Sequence, residues 1–127
     1  MLLDTSAWIE YLKGTKLGEE IKILLNQEIA IYTCPLTIVE ISNWSYKNNE
    51  EPSPHLQKIK TLSKILELSE DILVKSGKTY YEERVKSENK KISMIDCIIY
   101  TTARFHGLIL LTKDGDFEGL EGVKLLR

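Results

Sequence analysis

Five carboxylates stand where short apolar runs give way to polar ones. Asp4 closes "MLLD", Glu40 lies in "LTIVEISN", Asp96 in "ISMIDCII", and Asp114 and Asp116 in "LTKDGDF". Asp96 poses the sharpest problem, because an isolated ionised carboxylate in a buried helix is costly unless something pairs with it. Two carboxylates about 4 Å apart repel by about 4 kcal/mol at an effective dielectric near 20. A cluster of four or five is worse, and its members take up protons unless a cation joins them. Helix caps have no reason to converge; ligands of a divalent cation do. All-oxygen ligation without His or Cys favours a hard ion, Mg²⁺ or Mn²⁺. One or two such ions can activate a water and stabilise the leaving oxygen of a phosphodiester. They also turn an acidic pocket into one that attracts a nucleic-acid backbone.

Each acid has a purely structural reading as well. "SMID" (93–96) matches a capping box in which Asp96 reaches back to the Ser93 amide, and "TIVE" (37–40) fits the same pattern around Glu40. Asp4 suits a plain N-cap, and "DGD" a tight turn. The metal reading therefore depends on whether the set meets in space, which depends on the elements that carry it.

"MLLD", "IAIYTC" (29–34), "LILLT" (108–112) and "VKLLR" (123–127) read as short buried strands, and "ILELS" (65–69) as a fifth and middle one. They are continuous in apolarity, as expected of a parallel sheet covered on both faces. Helical stretches fall between them at 5–13, 16–27, 35–48, 54–64, 70–88 and 93–106; Pro35 opens the third and Gly107 stops the last. The alternation predicts an α/β sandwich with right-handed crossovers, whose ligand crevice lies at the carboxyl ends of the strands. Asp4, Asp114 and Asp116 follow strands, and Glu40 is near the start of a helix that follows one. Asp96 is in the first turn of the helix that leads back into "LILLT". All five can project at one edge.

The chain of 127 residues fits one domain, and its 43% hydrophobic and 28% charged residues are those of a globular protein. No apolar run approaches the roughly 18 residues of a membrane span, and the start lacks the basic region of a signal peptide. Cys34 and Cys97 form no CxxC pattern, which points to a reducing, cytoplasmic setting. The formal charge of −2 requires any nucleic-acid contact to come from a local basic patch or from bound cations.

In "LLDTSAWIE", "LTIVEISN", "SMIDCIIYTTAR" and "LLTKDGDFEGL", in this order and spacing, the chain resembles the PIN domain over its whole length, and in particular the VapC-type ribonuclease toxins of toxin–antitoxin pairs. The resemblance implies a Rossmann-like α/β/α sandwich with a five-stranded parallel sheet, forming a single nuclease domain over 1–127. It implies a Mg²⁺- or Mn²⁺-dependent endoribonuclease with one or two ions per site, a homodimer inhibited by a cognate antitoxin protein, RNA as substrate and no membrane. Asp4, Glu40, Asp96 and Asp114 match the family's acidic quartet, with Asp4 and Asp96 assigned first to direct metal contact. Asp116 is an auxiliary acid, and Ser6 and Thr112 match supporting hydroxyls. The stretch "SYKNNEEPSPHLQK" (45–58) matches no family motif.

Other residues have weaker claims. His55 and His106 lie away from the acidic edge, which argues against a metal-independent, His-driven ribonuclease. Cys97 reads as a small buried hydrophobe, and Trp8 and Trp44 as core or dimer contacts rather than base-stacking surfaces. In "ERVKSENKK" (83–91), Arg84, Lys86, Lys90 and Lys91 can hold RNA phosphates or simply form a solvated face. Lys113, beside Asp114, is the better-sited substrate contact. Two alternatives stay open. One is a phosphoryl-receiver signalling domain, which needs an Asp at the end of the middle strand where "ILELS" offers none. The other is a catalytically inactive PIN fold that only binds.

Overall fold

The computed structural model describes residues 1–27, 29–86 and 91–127. Its elements alternate as β1 (Leu2–Leu3), α1 (Thr5–Lys13), α2 (Lys16–Asn26), β2 (Tyr32–Thr33), α3 (Pro35–Lys47), α4 (Ser53–Leu62), β3 (Lys64–Ile65), α5 (Glu70–Tyr81), α6 (Met94–Phe105), β4 (Leu110–Thr112) and β5 (Val123–Leu125). A π-helical turn, Glu82–Lys86, extends α5, and a 3₁₀ turn, Gly115–Phe117, follows β4. Local sequence accounts for the helix starts. Asp4, Thr15, Ser69 and Ser93 each accept a backbone N–H from the first turn of α1, α2, α5 and α6, and Pro35 stands in the first turn of α3.

The five strands form one parallel sheet in the order β3-β2-β1-β4-β5. Leu2 pairs with Leu110 and Leu3 with Leu111, and all four are fully buried. Adjacent strand residues face opposite ways, so these leucines feed two cores. Leu3 and Leu111 join Trp8, Ile21, Ile41 and Ile59 on one side; Leu2 and Leu110 join Cys97, Ile99, Ala103 and Phe117 on the other. The result is the expected Rossmann-like α/β/α sandwich. Among the described residues no helix is long and apolar enough to cross a membrane.

Two expectations are corrected. The fifth strand occupies Lys64–Ile65 rather than 65–69, because Ser63 ends α4 in extended conformation and the amides of Lys64 and Leu66 donate to Ile31 and Thr33 of the neighbouring strand segment. Leu66 and Leu68 pack against the second core instead. That strand is also an edge; the centre is β1. The chain moves from β1 outward through β2 and β3, then returns to the other side of β1 with β4 and β5. The crevice that this reversal opens lies beyond the carboxyl ends of β1 and β4, just where Asp4 and Asp114 follow their strands. The expected helix over 70–88 becomes α5 plus the π-helical turn, and positions 87 and 88 lie outside the described residues.

Gly18 shows how tightly α2 is set on α1. A Cβ there would stand 2.1 Å from the Glu10 carbonyl oxygen, a backbone atom that cannot swing aside. Gly18→Ala is expected to destabilise the protein by about 1–3 kcal/mol, the cost of forced overpacking. Urea unfolding measures it, and a midpoint equal to wild type would refute the close approach.

Candidate metal centre

Asp4 is the deepest of the five acids, 4% exposed at the end of the central strand. Its Oδ1 accepts from the Ala7 amide at 3.0 Å and the Ser6 hydroxyl at 2.7 Å, and its Oδ2 from the Thr112 hydroxyl at 2.5 Å. The Ser6 oxygen in turn accepts from the Lys113 amide (2.9 Å), and the Thr112 oxygen from the Asp114 amide (2.9 Å). Ser6 and Thr112 stand 3.2 Å apart, but each has only one proton, already given to Asp4. The two hydroxyls thus lace the end of β1 to the end of β4. Burial, opposed by these three hydrogen bonds and reinforced by the nearby Asp114 charge, pushes the Asp4 carboxyl up to about 6.

Asp96 has the full capping box, its Oδ2 accepting the Ser93 amide and its own amide donating to Ser93 Oγ, both at 3.0 Å. Asp114 caps the 3₁₀ turn by accepting the Asp116 amide on Oδ1 at 2.9 Å. So the structural readings of Asp4, Asp96 and Asp114 are correct as far as they go. They do not exclude a second role, because each of the Asp96 and Asp114 caps uses one carboxylate oxygen and leaves the other outside the cap. Carboxylate oxygens of Asp96, Asp114 and Asp116 lie within 4.8 Å of one another, close to the ~4.2 Å between opposite oxygens around Mg²⁺.

Glu40 is different. Since α3 begins at Pro35, Thr37 is inside the helix and caps nothing, which rules out the capping box around "TIVE". Glu40 Oε1 instead accepts from the Thr5 hydroxyl at 2.5 Å, with Thr37 Oγ1 3.2 Å from that same hydroxyl. Burial raises the Glu40 carboxyl, and the charges of Asp96 and Asp114 raise it further. Asp96 is likewise raised by burial and, less strongly, by Asp114 and Asp116. Asp114 acts on Asp4, Glu40 and Asp96 alike and is the electrostatic hub of the group.

No lysine or arginine among the described residues forms an ion pair with Asp4, Glu40, Asp96 or Asp114. Lys113, the cation nearest in sequence, turns its ammonium 2.5 Å from Glu10 Oε1, and the hydrogen bond from Lys113 pushes the Glu10 carboxyl below its ordinary value. Lys91 is exposed in a cleft shared with Glu83, Gly115 and Asp116. Arg84 donates to the Ile92 carbonyl and lies over the Tyr80 ring. Lys90 and the side chain of Lys86 lie outside the described residues. An all-oxygen donor set with surplus negative charge and no His or Cys fits a hard divalent cation.

The residues set aside in the sequence are set aside here too. Trp8 is buried and donates to the Thr33 hydroxyl, Trp44 lies against His55, and burial pushes the Cys97 thiol up to about 11, unsuited to a nucleophile. Asp4 does end the middle strand, as a phosphoacceptor would, but both its oxygens are engaged and it is buried. Thr5 and Glu10 escaped the sequence reading. Thr5 sat in plain view in "DTS", whereas the Glu10–Lys113 pair spans 103 positions and left no local signal.

A parallel sheet whose switch point is ringed by carboxylates defines a class of acid-lined α/β domains. Residues 1–123 match the family model of the PIN domain, and the chain belongs to that family. It is 27% identical over 121 residues, 93% of this chain and 89% of the relative, to a VapC ribonuclease of Mycobacterium bovis and, with the same figures, to Ribonuclease VapC11 of Mycobacterium tuberculosis. Among solved structures it is similar to a toxin–antitoxin complex from Klebsiella pneumoniae, with a TM-score of 0.75 at 23% identity over 97% of this chain and 94% of the other. VapC20 of Mycobacterium tuberculosis, described as a sarcin-ricin loop cleaving toxin, gives 0.73 at 16% identity over 99% and 98%.

In metal-free protein the Asp4 shift has a testable sign. Its folded carboxyl titrates near 6 against an ordinary 3.8, so its penalty is absent below 3.8 and fully present above 6, where it reaches about 3 kcal/mol. Asp4→Asn removes the charge and keeps an N-cap acceptor. The variant is expected to be more stable than wild type at pH 7.5 by up to that amount, with the gain vanishing near pH 4. Denaturant unfolding at both pH values in a chelator checks this, and a gain independent of pH would contradict the buried charge.

Proposed function

We propose that the chain is a metal-dependent endoribonuclease, the toxin of a VapBC-type toxin–antitoxin pair. It would act in the cytoplasm as a single domain over residues 1–127, homodimeric and restrained by a cognate antitoxin protein. One observation carries the enzymatic reading: carboxylates from four separate stretches of chain gather at the switch point, four of them with no lysine or arginine partner among the described residues. The VapC ribonucleases that it resembles support RNA as substrate. The toxin–antitoxin complexes among its structural neighbours support an antitoxin partner.

Asp4 and Asp96 are assigned direct contact with the cation, Glu40 and Asp114 either the cation or its waters, and Asp116 an auxiliary part. One or two Mg²⁺ or Mn²⁺ ions, when bound, supply the charge that draws in an RNA phosphate and activates a water. The chain's own contribution is orientation. Ser6 and Thr112 fix both oxygens of Asp4, Thr5 fixes Glu40, and Ser93 fixes Asp96. Of the cations, RNA contact is assigned to Lys113, beside Asp114, whose ammonium Glu10 holds at the edge of the site, and to Lys90 and Lys91, the latter in a cleft that adjoins Asp116.

Asp96→Asn tests the reading. The amide still accepts the Ser93 N–H, so the melting temperature should stay within a few degrees of wild type. Cleavage of RNA in Mg²⁺ or Mn²⁺ should fall by about 100-fold or more, the upper range for disturbing a metal's surroundings. Cleavage at the wild-type rate would remove Asp96 from the site; a wild-type chain that binds RNA but never cuts it would be a binding module only.

A further inference from the structure

The groove between α5 and α6 carries a second concentration of charge, of the opposite sign. Lys75, Lys78 and Glu82 on one wall face Tyr100, Arg104 and Phe105 on the other across a cleft of about 490 Å³. Three cations stand against two acids, Glu82 and, beside Arg104, Glu121, a surplus of one positive charge in a chain whose total is −2. Glu82 does little to cancel it: Lys78 lies 3.9 Å from it with both side chains largely exposed, a geometry worth little in water. Lys75 Nζ stands 4.9 Å from the centre of the Phe105 ring, which is 42% exposed.

The α6 wall is fixed in advance. Tyr100 donates its hydroxyl to the Glu121 carbonyl at 2.7 Å, and the Arg104 guanidinium stands 3.5 Å from the exposed Glu121 carboxylate. Gly122 makes room for that guanidinium. Its φ is +78°, and a Cβ there would stand 2.3 Å from Arg104 Nη1. Asp96, Tyr100 and Arg104 recur every four residues, so they form one stripe along the helix. With a rise of 1.5 Å per residue, Arg104 is about 12 Å from Asp96 along the axis. The stripe therefore leads from the acid cluster into the basic groove. A groove with surplus positive charge and an exposed aromatic ring is the arrangement that tracks a single nucleic-acid strand.

We propose that the α5–α6 groove is an exosite for single-stranded RNA. Lys75, Lys78 and Arg104 hold phosphates of the strand that flanks the bond cut at the acid cluster, and the exposed Phe105 ring stacks on one of its bases. The proposal rests on the reading of this chain as a ribonuclease. An acidic protein segment would satisfy the same cations, but it has no bases to use the aromatic ring and no reason to follow the stripe to the acids.

The test compares the full-length chain with its Lys75→Ala/Lys78→Ala variant, two exposed positions outside the acid cluster. Binding of a fluorescein-labelled single-stranded RNA of roughly 12 nucleotides is followed by anisotropy in a chelator at several KCl concentrations. The variant should bind about tenfold more weakly, and the slope of log affinity against log salt should shrink by about 1.4, or 0.7 for each lost phosphate contact. Its melting temperature should not change. With Mn²⁺, KM for the same RNA should rise while kcat holds. Equal RNA affinity and slope in the two chains would overturn the exosite. So would a loss of binding seen with a poly-glutamate peptide and not with RNA. RNA binding with the expected dependence but no cleavage by wild type would support the groove and remove the ribonuclease reading. Cleavage with an unchanged KM in the variant would do the reverse.

Discussion

Negative charge gathered at one edge, with no lysine or arginine paired to Asp4, Glu40, Asp96 or Asp114 among the described residues, is the constraint on which this molecule turns. Folding brings the ends of β1 and β4 side by side, and with them Asp4 and Asp114; α6 and α3 return to the same edge with Asp96 and Glu40. A protein built for stability alone would place a lysine among them. Here the ammonium nearest in sequence, that of Lys113, is drawn to Glu10. The charge is left for something that arrives from outside: burial first, and the neighbouring carboxylates second, raise the carboxyls of Asp4, Glu40 and Asp96.

The fold makes that tension tolerable by rigidity. Leu2, Leu3, Leu110 and Leu111 anchor the two central strands in opposite cores, so the carboxyl ends of these strands have little freedom to part. The Ser6 and Thr112 hydroxyls then bind Asp4 and the β4 turn into one unit. Each hydroxyl spends its single proton on Asp4 and receives an amide from the β4 side. Preorganisation of this kind places charge correctly before any ligand is present, which is what a site for a cation and a transferring phosphate requires.

Much of this was legible in the sequence, and for physical reasons. Continuous apolar runs with acids at their ends announce buried parallel strands and the edge that follows them, so the gathering of Asp4, Asp96 and Asp114 at one edge is legible from pattern alone. The capping-box motif at "SMID" was equally legible and equally true; a carboxylate with two oxygens can cap a helix with one and face the cluster with the other. Contacts between distant segments were not legible. Nothing in "TIVE" shows that its glutamate answers to Thr5, 35 residues earlier, rather than to Thr37. Nothing around Lys113 points to Glu10. The strand near residue 65 was misplaced because its bounds are set by the register of the neighbouring strand, not by its own apolarity. Its mistaken place at the centre concealed that Asp4 ends the middle strand.

The central claim, that these carboxylates converge on a shared cation, is tested most directly by anomalous diffraction from crystals of the protein soaked in Mn²⁺. The account predicts a strong peak at the acid cluster, touched directly by Asp4 and Asp96, with Glu40 and Asp114 reaching it or its waters and Asp116 beside it. Crystals that show no peak there, with the acidic side chains turned to separate solvent regions, would contradict it.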